Sequence, residues 1–294
     1  LRRLFNRLIP KSLRGNAVTI PVVRLSGAIM ASGSPMRPAL SLATTAGVIE
    51  KAFAFPDAPA VAFAINSPGG SPVQSRLIFK RIRDLAAEKN RRVFMFVEDV
   101  AASGGYMIAL AGDEIIADPS SIVGSIGVVS AGFGFQEMIK KIGVERRVHT
   151  AGKNKAILDP FQPERKEDVE RLKALQLDIH DTFIGMVKER RGAKLADDPE
   201  LFTGAFWTGE RGLSLGLVDG LGDMRSVLKD RYGPKTKLAL ITPQRGLFGR
   251  KLGILGSIGH GAGAGDLGAA LAGNAASGLI EAAEEQALWS RYGL

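Results

Sequence analysis

Val61-Ala62-Phe63-Ala64-Ile65-Asn66-Ser67-Pro68-Gly69-Gly70 and Val93-Phe94-Met95-Phe96-Val97-Glu98-Asp99-Val100-Ala101-Ala102-Ser103-Gly104-Gly105 share one construction, a short apolar run ending in a turn of small residues. Each leads into a helical stretch, about 73–87 after the first and 106–110 after the second. Four to six consecutive apolar residues without alternation fit a strand buried on both faces. Two strand–turn–helix units in succession require right-handed crossovers, and so a mainly parallel sheet of the α/β class. Both glycine turns then fall at the carboxyl ends of their strands, the edge at which open α/β sheets build their sites.

Outward from this pair, residues 17–24 read as a strand and 40–55 as a helix. Further strands are expected at 113–117, at the glycine-punctuated run 122–129 and near 146–149, with a helix at 135–142 between the last two. Residues 150–163 form a polar loop that carries Lys153, Lys155 and Asp159. From Glu164 to Arg191 the residues Val169, Leu172, Leu175, Ile179, Phe183 and Met186 recur every three or four positions, the stripe of a long amphipathic helix. A helix–turn unit at 208–223 and a strand at 237–241 complete the body. Beyond Pro243 the composition turns to Gly and Ala, which divides the chain into an N-terminal segment 1–16, a body 17–242 and a tail 243–294. The tail is expected to be largely mobile, with a short helix at 279–292.

The chain has 294 residues, 45% of them hydrophobic and 23% charged, which suits a folded globular protein. Its net charge of +9 is scattered, without interleaved aromatic residues, and this argues against nucleic-acid binding. The exception is residues 1–14, where Arg2, Arg3, Arg7, Lys11 and Arg14 stand without any acid. Leu1, Leu4, Phe5, Leu8 and Ile9 recur at helical spacing opposite them, the pattern of a basic helix lying in a membrane interface. The longest uncharged run, Pro119 to Gln136, holds a proline and four glycines and does not read as a membrane span. With no cysteine, thiol chemistry and disulfides are excluded. The three histidines, His149, His180 and His260, lie in no metal-binding spacing, and no cofactor is expected.

Ser103 draws attention because it stands in a small-residue turn between an apolar strand and a helix. Such a helix start aims backbone N–H groups at one point, as stabilisation of an oxyanion requires. The amide of Gly104 is one donor on this reading, and the amide of Gly70, from the neighbouring turn, is the second. The plainer alternative is that Ser103 caps its helix. A nucleophilic serine needs a base. His180 sits beside the apolar face of the long helix and His260 in the tail, which leaves His149 as the histidine option. Lysine is the other, provided its ammonium gives up its proton. Bringing a lysine from about 10.4 to about 7 corresponds to roughly 4.6 kcal/mol and demands an apolar setting. Lys155, followed by Ala156-Ile157-Leu158, has apolar neighbours, and Lys153 adds like charge beside it.

Asn66-Ser67-Pro68-Gly69-Gly70, Ala101-Ala102-Ser103-Gly104-Gly105-Tyr106, Gly124-Ser125-Ile126-Gly127-Val128 and Lys155-Ala156-Ile157-Leu158-Asp159-Pro160-Phe161 follow one another in the order of the motifs of the signal peptide peptidase A (protease IV) family, peptidase family S49. Trp207-Thr208-Gly209-Glu210 with Gly216-Leu217-Val218-Asp219 resembles a later motif, so the resemblance runs over about 17–242. It implies a ClpP/crotonase-like fold of repeated strand–turn–helix units. It implies Ser103 as nucleophile, Lys155 rather than Lys153 as general base, and the Ser125 hydroxyl as the group that orients the lysine amine. The amides of Gly70 and Gly104 would be the oxyanion donors.

Each motif occurs once, as in the short form of the family, whose members assemble into dome-like rings in which a neighbouring copy completes the dyad. Peptide substrates, self-association and peripheral membrane contact through residues 1–14 are the expected partners, without nucleic acid. The expected localisation is at the bacterial plasma membrane or in the cytoplasm. Two other classes of protein fit less well. A crotonase-like acyl-CoA enzyme shares the paired amides but wants carboxylates at the site, and a ring-forming scaffold would not need an intact serine and lysine.

Overall fold

The computed structural model describes residues 17–33, 39–242, 283 and 285–294. The basic segment 1–16 and residues 243–282 of the tail lie outside the described residues. The body is α/β, a mainly parallel sheet built from repeated strand–turn–helix units. Strands β1 (Thr19–Ser26), β2 (Ala60–Ser67) and β3 (Arg92–Ala102) are parallel neighbours, and β8 (Lys237–Leu240) closes the far side of β1, also in parallel. Helices α1 (Leu42–Phe53) and α2 (Pro72–Lys89) make the crossovers. Ser41 opens α1 with a reciprocal capping box with Thr44, and Ser71 with Pro72 opens α2.

The uninterrupted apolar runs are buried on both faces. Val61, Phe63, Ile65, Met95 and Val97 pack under the helices with Ile49, Phe53, Ile78 and Ile82. Ala60, Ala62, Phe94 and Phe96 turn the other way, onto α7 (Met224–Tyr232) through Leu228. The turn after β3 runs directly into α3 (Gly104–Ala109), a full two residues before the expected Tyr106 start.

β3 changes partners along its length. Its first half pairs with β4 (Glu114–Ala117) through Phe94–Val97, and its end pairs with β5 (Ile122–Gly124) through Val100–Ala102. Between the two halves the register with β2 shifts, a β-bulge between Ile65 and Ser67. The Asn66 carboxamide fills the gap. Its oxygen accepts from Val100 N–H at 3.2 Å, and its amide donates to Asp99 at 2.5 Å. β5 in turn pairs antiparallel with β6 (Phe206–Thr208), which leads into α6 (Gly209–Ser214), while β7 (Gly220–Leu221) joins β4.

Three expectations need correction. The strand expected at 122–129 ends at Gly124, because Ser125 takes a positive φ of 53° and leaves the ladder. No strand forms near 146–149; this stretch is exposed and lacks a sheet neighbour to pair with. The short helix α4 (Gln136–Lys141) and the long helix α5 (Lys166–Arg191) both form, yet only the C-terminal end of the α5 stripe is core. Phe183 and Met186 are buried, whereas Leu175 is 56% and Ile179 38% exposed, because the first half of α5 projects beyond the sheet.

α5 is moored at its C-terminal end. Arg191, buried beneath the helix, donates to both oxygens of Asp219 at 2.7 and 3.1 Å and to Gly216 O at 2.7 Å. Lys194 and Ile115 N–H also donate to Asp219, at 2.6 and 2.8 Å. Burial by itself would raise the Asp219 pKa, but the hydrogen bonds from Arg191, Lys194 and Ile115 outweigh it and hold the carboxyl below the usual range. Asp219→Ala strands a buried guanidinium and is expected to cost about 3–5 kcal/mol. Chemical denaturation of the two proteins checks this. Because the folded-state pKa is depressed, the contribution is complete at neutral pH and fades as pH falls through the ordinary carboxylate range, so the gap between wild type and variant should narrow below about pH 4.

Candidate active site

At the carboxyl end of β3 the backbone turns sharply. Ser103 adopts φ 52°, ψ −122°, a conformation costly for a residue with a side chain. Its side chain makes no capping bond to α3, so the plainer reading of Ser103 as a helix cap does not hold. The turn is held from two sides: Ser103 N–H donates to Gly124 O at 2.8 Å, and Ser103 O accepts from Met107 N–H at 3.0 Å.

The Ser67–Gly70 turn packs directly against it. Gly70 has φ +134°, and a Cβ there would overlap the Ile29 carbonyl, which is pinned by Ser71 N–H at 2.7 Å. A Cβ placed on Gly104 would stand 3.3 Å from Gly70 N, so the two turns that carry these amides lie against each other. Neither N–H donates to an acceptor among the described residues. Below them, Tyr106 is fully buried and donates to Leu217 O at 2.7 Å; burial pushes its phenol pKa far up, and it serves as a neutral strut.

Ser125 is set beside Ser103 by the same strand ends. Gly124, at φ +100°, lies against the Trp207 ring, where a Cβ would come within 2.8 Å. The next N–H, from Ser125, donates to Ala205 O at 2.7 Å. One step on, the Ile126 carbonyl accepts from His180 Nε2–H at 3.0 Å. His180 therefore ties α5 to the Ser125 loop. Its position beside the apolar face was the only trace of this in the sequence, and the partner is 54 residues away.

Ser103 and Ser125 line one cavity of about 420 Å³, walled further by Val128, Thr203, Phe206 and Tyr292. Lys155 is not part of this wall. It lies exposed in the turn 151–158, and its ammonium has no hydrogen bond or ion pair among the described residues. Lys153 and His149 are likewise exposed and outside the cavity. The loop that carries both lysines is braced on its own neighbours. Arg146 pairs with Asp159 at 3.0 Å and lies 5.1 Å from the centre of the Phe161 ring, which packs on Phe135 at 5.7 Å. Phe161 N–H, then Arg146, hold the Asp159 carboxyl below its usual range. Among the described residues no three His, Cys, Asp or Glu side chains are grouped as a metal would need, and no helix is long and apolar enough to cross a membrane.

A serine hydroxyl on a strained turn, with two unengaged amides next to it, is equipment for acyl transfer. Comparison with known proteins agrees. The family model Peptidase family S49 matches residues 86–232, half of the chain. A Brucella abortus protein described as a Na(+)/H(+) antiporter NhaA is 67% identical over 99% of this chain, which corresponds to 39% of that protein. Protease 4 of Salmonella typhi is 32% identical over 70% of this chain and 33% of its own length, and the chloroplastic serine protease SPPA of Arabidopsis thaliana is 30% identical over 72% and 32%. The chain thus spans well under half the length of these relatives. Among solved structures, a membrane-bound stomatin-specific protease aligns over 78% of this chain and 99% of its own at a TM-score of 0.46 and 15% identity. On the match of the family model, which takes in the Ser103 turn, Ser125 and Lys155, the chain belongs to peptidase family S49.

Proposed function

We propose that this chain is a serine endopeptidase in which Ser103 is the nucleophile, the amides of Gly70 and Gly104 form the oxyanion hole, and Lys155 is the general base. The observation that carries the reading is the Ser103 turn. Its hydroxyl is spared from capping, its backbone is held in a strained conformation, and the Gly70 and Gly104 N–H groups, without acceptors among the described residues, belong to the two turns packed together there. Folds keep such strain where a reactive group has to be presented.

In the reaction, the neutral Lys155 amine takes the Ser103 proton as Oγ attacks the peptide carbonyl. The carbonyl oxygen, now negative, is met by the Gly70 and Gly104 N–H groups. Collapse expels the amine, which receives the proton from the lysine, and leaves an acyl-enzyme. Water, deprotonated by the same lysine, then releases the acid. Ser125 accepts from the amine and aims its lone pair at Ser103. Substrates are unfolded, apolar peptides such as released signal peptides.

Lys155 reaches this centre from a neighbouring copy. Two features support that reading: the lysine lies exposed outside its own chain's cavity, and the surrounding region presents apolar side chains to solvent. Phe133, Ile142 and Leu177 are 80%, 67% and 61% exposed, a pattern suited to contact between copies in a ring. The segment 1–14 would bring such an assembly to an anionic membrane, each basic residue near the surface contributing about 1 kcal/mol.

A serine-directed phosphonate should label Ser103, and Ser103→Ala should lose peptide hydrolysis by a factor of at least about a thousand. Lys155→Ala is expected to be equally inactive while Lys153→Ala keeps most activity; the reverse result would remove Lys155 as base. Mixing inactive Ser103→Ala with inactive Lys155→Ala should restore hydrolysis if copies share the dyad, and a mixture as inactive as its components would rule sharing out. Ser103→Gly, which relieves the positive-φ strain, should be more stable than Ser103→Ala by about 1 kcal/mol in thermal melts.

A further inference from the structure

Residues 285–290 are helical, and the turn that follows them lies on the candidate site. Tyr292 is only 9% exposed and packs with Trp289 on Val100, Ala102 and Ile122. Val100 and Ala102 are the residues of β3 three and one positions before Ser103, so the floor beneath the tyrosine is continuous with the strand that carries the serine. The edge of the ring meets Phe206, with centroids 5.1 Å apart and planes at 76°. The phenol donates to Ser125 Oγ at 3.2 Å. An apolar floor, a ring set edge to face and one hydroxyl at the rim match an amphipathic aromatic side chain and suit an aliphatic one less well. Arg291 and Tyr292 also form part of the cavity wall that includes Ser103.

We propose that the surface formed by Val100, Ala102, Ile122, Phe206 and Ser125 is a subsite for an aromatic side chain of the peptide substrate, and that Tyr292 occupies it as a competitor carried on the same chain. This rests on the reading of Ser103 as a peptidase nucleophile. A peptide carbonyl presented to Ser103 lies within one or two residues of this surface, because the floor residues adjoin the serine along the strand. While Tyr292 is seated, a substrate's own aromatic residue must displace it. The phenol also takes up a lone pair of the Ser125 hydroxyl, the group assigned above to orienting the lysine amine. The segment is thus a substrate-like ligand, and its affinity sets the concentration of peptide needed to engage the site.

The test uses Ser103→Ala protein, which binds without cleaving, and fluorescein-labelled apolar decapeptides that differ only in a central Tyr, Phe or Ala. Fluorescence anisotropy should show Tyr and Phe peptides binding about tenfold more tightly when Tyr292→Ala is introduced into the full chain, the effect expected when an aromatic contact and its buried area are freed. Deletion of residues 283–294 should act in the same direction. In the Tyr292→Ala background the Tyr peptide should bind about tenfold more tightly than the Ala peptide, and Phe206→Ala should abolish that difference. Equal binding of Tyr and Ala peptides, or affinities unchanged by both Tyr292→Ala and the deletion, would overturn the proposal. Turnover of the same peptides by protein with Ser103 intact separates the two readings. Cleavage without aromatic preference sinks the subsite alone, whereas aromatic-selective binding without cleavage sinks the peptidase reading and leaves the subsite standing.

Discussion

Between Val97 and Val100 strand β3 exchanges one neighbour for another, and the exchange works only because the Asn66 carboxamide bridges the interruption. A strand that leaves its ladder exposes N–H and C=O groups that must be satisfied at once. Asn66 supplies an acceptor to Val100 N–H and binds Asp99 on the other side. The end of β3 can then leave the first sheet direction and pair with β5, and it carries Ser103 to the point where Gly124 O fixes it. The placement of Ser103 beside the Gly70 turn, the burial of Tyr106 below and the approach of Ser125 all depend on that redirected strand end.

Around this bend the protein divides its labour between rigid and projecting parts. The sheet and α1–α3 form an apolar core, and the buried Arg191–Asp219 pair fastens the end of α5 to it. The first half of α5 and the loops at 128–161 lie outside that core, braced by the Arg146–Asp159 pair and the Phe135–Phe161 stack. His180 is the joint between the two regimes, since it sits on the projecting helix and holds the carbonyl next to Ser125. A displacement of α5 would reach the Ser125 loop through this hydrogen bond and through Val128, which lines a shared pocket with Lys173, Gln176 and Leu177.

The parallel sheet could be read from the sequence because its signal is local: runs such as Val61–Ile65 have no polar face, and only a doubly covered strand accommodates them. The same holds for the glycine turns, which announce both a conformation and a place. The nearness of the Ser103 turn to Gly70 was legible because strand ends in such sheets converge, whereas the roles expected of Ser103, Gly70 and Gly104 rested on the family resemblance. What remained hidden was non-local. Asn66 was visible only as part of a motif, and its role as the filler of a bulge depends on a register shift that no periodicity records. The apolar stripe of α5 was real, but periodicity does not say whether a stripe meets its own core or projects past it, and Leu175 and Ile179 project. The run 146–149 looked like a strand by composition, yet nothing in the sheet was left to pair with it. Tyr292 lay in a Gly/Ala-rich tail whose composition suggested mobility, and its seat on β3 is nearly two hundred residues away in sequence.

The exposed position of Lys155 has a consequence for when the protein can act. If the base comes from a neighbour, a single copy is a chemically unfinished enzyme, with a nucleophile on one surface and a base on another. Its activity then follows mass action, since the working species exists only as far as copies associate. A newly made or dispersed chain would pass among other proteins without attacking them, and hydrolysis would switch on where copies gather. Whatever gathers copies in one place would, in this light, serve as the starting signal for hydrolysis.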